Sequence, residues 1–271
     1  MRPIVPTKPL RANVLGAGVH AVNMQSAAEY LEACVASGLK GYVCVTGVHG
    51  VTESVRSSRF RAALDNALLV VPDGMPTVWV GRSQRHLSMQ RVFGPDLMLE
   101  LCARSLKNGY THFFYGGKAG IAEELKRNFE TWYPGIRILG ALTPPFRSLT
   151  HKEEAELSAH VGKLKPDILW VGLSTPKQEM FMVEAIEHLD CKLMIGVGAA
   201  FDFHTGRIKD APTWIKEAGL QWFHRLCQEP RRLWKRYLIN NAVFVWHLIF
   251  QIAGSKRYSL RSEVNTADSV R

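Results

Sequence analysis

Five apolar residues, Leu68 to Pro72, stop abruptly at Asp73-Gly74, and a new helical pattern begins at Met75. The run has the length and β-branched content of a buried strand, which places a carboxylate at the strand's carboxyl end. Ligands of open α/β sheets collect along that edge, so Asp73 is a candidate general base and Gly74 leaves room beside it. Asp-Gly is also an ordinary turn dipeptide, and the local pattern alone does not separate the two readings.

Three more strand ends carry glycine turns: Gly116-Gly117-Lys118, the stretch from Gly172 to Lys177 and Gln178, and Gly196-Val197-Gly198. Small residues let the backbone approach a ligand, and amides at the following helix N-terminus favour an anion such as a diphosphate. Each turn is a weak signal alone. Three in one chain, two of them with a lysine, point to a nucleotide-type ligand.

A fourth glycine stretch, Gly16 to Ala21, fits GxGxxA after an apolar run. A dinucleotide site also needs an acid near the end of the next strand, and YVCVT followed by GVHG has none. No Walker A pattern and no DxD occurs, and His49, His86 and His204 have no histidine partner four residues away. The expectation is therefore no metal and no bound cofactor, with His49 a substrate contact at most.

The C-terminal stretch GLQWFHRLCQEPRRLWKRY forms an amphipathic pattern. At 100° per residue Arg225, Arg232 and Arg236 fall within about 40° of one another, and Trp222, Phe223, Leu226, Leu233 and Trp234 take the opposite half. That surface suits a helix lying in a membrane interface, with Arg meeting anionic lipid or a lipid diphosphate. A solvated basic face over a packed apolar one is the plainer alternative. Pro230 is placed to split the helix, and Leu238 to Ala253 is too short and too polar to span a bilayer.

These residues need a scaffold, and the chain order supplies one. Helix from Asn23 to Gly38, strand Tyr42–Thr46, polar helix from about Thr52 to Asn66, the Asp73 strand and a short helix to Arg82 follow in turn. Next come helix 94–109, strand 111–115, helix 119–132, strand 136–141, a helix from the Thr150-x-x-Glu153 capping box, strand 167–172, a helix to about Leu189 and strand 191–197. Continuous apolar strands separated by helices imply an α/β fold: a Rossmann-like, mostly parallel sheet covered on both faces. The expected division is an α/β catalytic domain over 1–208 and a helical, basic, membrane-associating appendage over 209–271.

Composition agrees with a globular body and a basic tail. Of 271 residues 46% are hydrophobic, and 34 Lys plus Arg against 24 Asp plus Glu give +10. Between Leu220 and Arg257 seven basic residues face one acid, Glu229, so this segment alone carries +6. The basic charge is confined to one helical segment without a nucleic-acid-binding module, which argues against nucleic acid as a partner. Five scattered cysteines without CxxC read as free thiols in a reducing compartment, and the N-terminus lacks the apolar core of a signal peptide. The expected location is cytoplasmic.

Taken together, NALLVVPDGMPTVWVGR, RVFGPDLM, FFYGGKAGIAEEL, ILWVGLSTPKQE and GVGAAFDFHTGRIKDAPTWIKEAGLQWFHRLCQEPRR resemble the WecG/TagA/CpsF family of bacterial glycosyltransferases, from about Val14 to Leu238. The resemblance implies an inverting, metal-independent transferase. It would move a sugar from a UDP donor to a polyprenyl-diphosphate-linked saccharide at the cytoplasmic membrane face. It implies that Asp73 is the base of the PDG motif, Thr46 the strand-end threonine and Gln178 the glutamine of PKQE. Arg225, Arg231 and Arg232 resemble basic residues that close over the donor diphosphate. Where many members read T-x-N, this chain reads Thr46-Gly47-Val48-His49-Gly50. That form resembles the branch making exopolysaccharide repeat units and implies a glucosyl donor. Two other readings stay open: an NAD(P) oxidoreductase using Gly16 to Ala21, and a non-catalytic membrane-docking subunit. A homo-oligomer is compatible with all three.

Overall fold

The computed structural model describes residues 6–260; residues 1–5 and 261–271, which include the outer ends of both expected domains, lie outside the described residues. The chain opens with a hairpin of β1 (Arg11–Val14) and β2 (Ala17–His20), then α1 (Met24–Ser37), β3 (Gly41–Thr46), α2 (Val48–Arg56), α3 (Ser58–Asp65), β4 (Leu69–Pro72) and α4 (Met75–Ser83). There follow α5 (Gly94–Asn108), β5 (His112–Gly116), α6 (Ile121–Trp132), β6 (Ile138–Leu142), α7 (His151–Leu164), β7 (Ile168–Gly172), α8 (Lys177–Ala185) and β8 (Leu193–Gly196). Helices α9 (Ala200–His204), α10 (Thr213–Glu217), α11 (Gln221–Gln228) and α12 (Pro230–Ile252) complete it.

Six strands form one all-parallel sheet in the order β4-β3-β8-β7-β5-β6. Alternate strand residues feed two separate cores: Val43, Val71, Trp170 and Ile195 pack on one face, and Tyr42, Val70, Leu169 and Met194 on the other. Burial on both faces is why these strands read as unbroken apolar runs. The expected Rossmann-like α/β architecture is present, with further helices at the C-terminal end.

Local chemistry accounts for the boundaries and for the departures from expectation. Asn23 and Ser26 form a reciprocal capping box at the start of α1, and Gly38 ends it at φ 72°. The single polar helix expected from Thr52 to Asn66 is two helices, because Ser57 leaves helical geometry and its hydroxyl caps α3 by accepting from the Phe60 amide. Gly16 lies in the β1–β2 turn, with Leu15 and Gly16 both at positive φ as a two-residue hairpin requires. The GxGxxA stretch therefore opens no helix and cradles no dinucleotide. Helix α8 ends at Ala185, earlier than the expected Leu189. Pro230 does divide the C-terminal pattern, since it sits in the first turn of α12, where it needs no amide partner.

Helix α12 packs against α2 and the hairpin. Arg56 donates to Asn240 at 2.9 Å, Gln251 bonds Leu15 and Asn13 at 3.0 and 2.9 Å, and Phe244 is buried. Among the described residues no helix is long and apolar enough to cross a membrane.

The rim where β5 and β7 end tolerates no side chain. Gly116 has φ 139°, and a Cβ there would lie 2.6 Å from the Gly172 carbonyl oxygen, backbone that cannot swing aside. Gly116→Ala is expected to cost about 2–4 kcal/mol, combining strain and overpacking. Urea unfolding of the variant measures this; a midpoint equal to that of the parent chain would contradict it.

Candidate active site

The carboxyl ends of β3, β4 and β8 open onto a cavity of about 850 Å³, closed on its far side by α11 and α12. Asp73 stands on its wall. The main chain holds the residue from two sides: its amide donates to the Thr46 carbonyl at 3.0 Å, and its carbonyl accepts from Arg91 Nε at 2.9 Å. Its Oδ1 accepts the Gly94 amide at 3.2 Å, one of the unpaired donors that open α5. Gly94 must be small here, since a Cβ would press on the Val197 carbonyl and Val45. Burial pushes the Asp73 carboxyl above the usual aspartate range, against the opposing pull of Arg91, the Gly94 amide and Arg225.

Asp73 is the sole carboxylate among the lining residues, facing Arg91, Lys177, Lys216, Arg225, Arg232 and Arg236. Glu229 lies behind two of these cations, accepting from Arg225 at 3.4 Å and Arg232 at 2.6 Å. Nε of Arg225 and Nε of Arg236 are buried without a hydrogen-bond partner. Burial, together with the neighbouring Arg225 and Arg232, lowers the Arg236 pKa. A wall with this much positive charge has the chemistry to suit an anion.

The basic face of the C-terminal helices therefore points inward. Leu233 is buried, but Trp222, Phe223 and Trp234 on the apolar half are substantially exposed. Arg225, Arg232 and Arg236 thus meet the cavity, which Trp222 also lines, while Phe223 and Trp234 face out.

Of the residues expected from the sequence, Asp73, Gly74, His49, Lys177, Gln178, Gly198, Arg225 and Arg232 all line the cavity. Thr46, Gly172, Gly196 and Arg231 do not. Thr46 is buried beneath Gly50, where a Cβ would come within 2.9 Å of its methyl group, and it acts on the site through its carbonyl. Gly172 gives space to the Phe201 ring, and Gly196 to Met182 and Gln178. His49 is held neutral, its pKa lowered to about 4 by burial and by Arg236 and Arg56, so it offers a hydrogen bond and no charge. Gln178 accepts the Gly198 amide at 2.9 Å and donates to Glu179 at 3.1 Å, which sets its amide orientation.

Sequence reading passed over Arg91 and Glu179, and it grouped Arg236 with Arg225 and Arg232 on one helical face without counting it among the site residues. Arg91 lies over the Phe93 ring at 4.2 Å and bonds Gln221, so it ties the Asp73 loop to α11. Glu179 is fully buried, accepts from Thr175 at 2.8 Å, and has its carboxyl pushed up by burial. Arg236 shares the helical face of Arg225 and Arg232, and that shared face was the available signal.

Over residues 12–258 the chain matches a family of glycosyl transferases, and it is a glycosyltransferase. The family is the glycosyl transferase WecG/TagA/CpsF family, and the chain belongs to it. Similar proteins include an N-acetylglucosaminyldiphosphoundecaprenol N-acetyl-beta-D-mannosaminyltransferase of Bacillus subtilis (strain 168), 28% identical over 186 residues, covering 68% of this chain and 70% of that protein. A protein of the same name from Bacillus spizizenii (strain ATCC 23059 / NRRL B-14472 / W23) is 28% identical over 186 residues, covering 69% of this chain and 70% of its own length.

A buried carboxylate whose folded pKa is raised favours its protonated form, so ionised Asp73 weakens the fold at every pH above its unfolded pKa. Asp73→Asn, which keeps an acceptor for the Gly94 amide, is expected to raise the melting temperature at pH 7. The gain should shrink as pH falls toward the unfolded pKa of about 4, below which both states of the parent chain hold the proton. Melting curves between pH 4 and pH 8 check this; a variant that melts lower at pH 7 would contradict it.

Proposed function

We propose that the chain is an inverting glycosyltransferase that moves a hexose-type sugar from a UDP-sugar to a polyprenyl-diphosphate-linked saccharide. The observation that carries this reading is a cavity with one carboxylate on the sheet rim and a wall of guanidinium groups opposite. Asp73 removes the proton of the acceptor hydroxyl as that oxygen attacks the anomeric carbon, and the bond to UDP breaks on the other face of the sugar ring. Arg91 and the Gly94 amide aim the carboxylate and oppose the rise in its pKa that burial causes. Arg225, with Arg232 beside it, neutralises the departing diphosphate, a stabilisation that grows as charge develops in the transition state. In this reading those cations, supplemented by Lys177, do the work, and no metal or cofactor takes part.

The Bacillus relatives are named for an acceptor carrying N-acetylglucosamine on diphosphoundecaprenol, and that supports an acceptor of the same class here. The donor reading is UDP-glucose in exopolysaccharide assembly. The cavity-lining Val48, where many family members have asparagine, has no polar group for an acetamido substituent. The exposed Trp214, Trp222, Phe223, Trp234 and Trp246 support peripheral docking of residues 209–271 on the anionic inner face of the cell membrane.

The test is release of UDP from a panel of UDP-sugars with a short-chain lipid-linked acceptor. UDP-glucose is expected to be turned over in preference to UDP-N-acetylmannosamine; the reverse preference would overturn the donor reading. Asp73→Asn is expected to lower turnover about 10²-fold or more, with UDP affinity within about twofold. Normal turnover of that variant would reject Asp73 as the base.

A further inference from the structure

The cavity has two unlike halves. Along α12 the lining begins with Arg232 and Arg236, passes to Tyr237 and Asn241, and ends with Phe244 and Leu248. Arg236, Asn240, Phe244 and Leu248 follow one another in steps of four and so share one helix face, and over roughly 18 Å of axis from Arg236 the wall changes from cationic to apolar. Val80 and Trp79 of α4 also line the cavity. Phe244 is buried, but Val245, which also lines the cavity, is 54% exposed, so the apolar limb starts in the core and opens at the surface. Past its mouth Trp246, Ile249 and Ile252 continue as exposed apolar surface on the same helix.

A nucleotide sugar is polar throughout and has nothing to place in that limb. The cationic end calls for an anion, and the limb continuous with it calls for hydrocarbon attached to that anion. We propose, resting on the transferase reading above, that the space between α4 and α12 is an isoprenoid-binding groove. It takes the first isoprene units of the acceptor's lipid chain, with the attached diphosphate at the Arg236 end and the rest of the chain leaving past Val245 toward the membrane. The groove sets the acceptor's register: hydrocarbon seated between α4 and α12 places the saccharide at the other end of the diphosphate, on the Asp73 side of the cavity.

Binding of farnesyl diphosphate and of inorganic diphosphate, each titrated into the full chain without detergent or vesicles, tests the groove apart from catalysis. Farnesyl diphosphate is expected to bind at least tenfold more tightly than inorganic diphosphate. Val245→Asp, an exposed substitution at the groove mouth, should cut that ratio to threefold or less. Ile252→Asp, beyond the mouth, should keep it. Equal affinities in the parent chain would overturn the proposal, as would a full ratio in Val245→Asp or an equal loss in Ile252→Asp, which would indicate adsorption to the outer apolar surface. A chain that discriminates in this way but transfers no sugar keeps the groove and loses the transferase reading. One that transfers sugar without discriminating loses the groove.

Discussion

Three guanidinium groups on two consecutive helices share one cavity wall, and Glu229 is the carboxylate bonded to two of them. Like charges in a partly dry setting repel by several kcal/mol per pair at an effective dielectric near 20, so such a wall persists only on a well-anchored scaffold or around an anion. The scaffold is visible. Helix α12 is clamped to α2 through Arg56–Asn240 and to the hairpin through Gln251, and Phe244 is sunk into the core.

The acid on the other wall depends on the same arrangement. Burial holds the Asp73 carboxyl above the usual range, and what opposes this comes from outside its own strand: Arg91, the first amide of α5, and Arg225 of α11. Arg91 links these parts, because it bonds the Asp73 carbonyl and Gln221 while lying on Phe93. The sheet rim and the C-terminal helices thus form one electrostatic unit.

Much of this was legible from residue order. Apolar runs of four to six residues announced the parallel strands, because both faces of this sheet are covered, and the Asn23 and Thr150 caps marked helix starts correctly. Asp73 could be placed at a rim because Asp-Gly terminates an apolar run. Facing direction could not be read from the same signals. A helical wheel groups Arg225, Arg232 and Arg236 but does not say whether that face looks at lipid, water or protein. It turned inward because a cavity with an acid lay beneath it. Glycine likewise marks close approach without naming what approaches: at Gly172 and Gly196 it is Phe201, Met182 and Gln178, whereas Gly198 does border the cavity. Arg91 stood in a basic connection, and its role depends on the tertiary contact with Gln221.

The central claim is that cavity-lining arginines, and not basic charge on the C-terminal helices in general, hold the nucleotide's diphosphate. The most direct measurement is calorimetric titration of UDP into Arg225→Gln and Arg231→Gln, two variants with the same loss of charge on neighbouring helices, of which only the first removes a lining side chain. The account predicts affinity at least about tenfold weaker for Arg225→Gln, the worth of one charge-assisted hydrogen bond, and within about twofold of the parent for Arg231→Gln. Equal losses in the two variants, or a loss confined to Arg231→Gln, would contradict it.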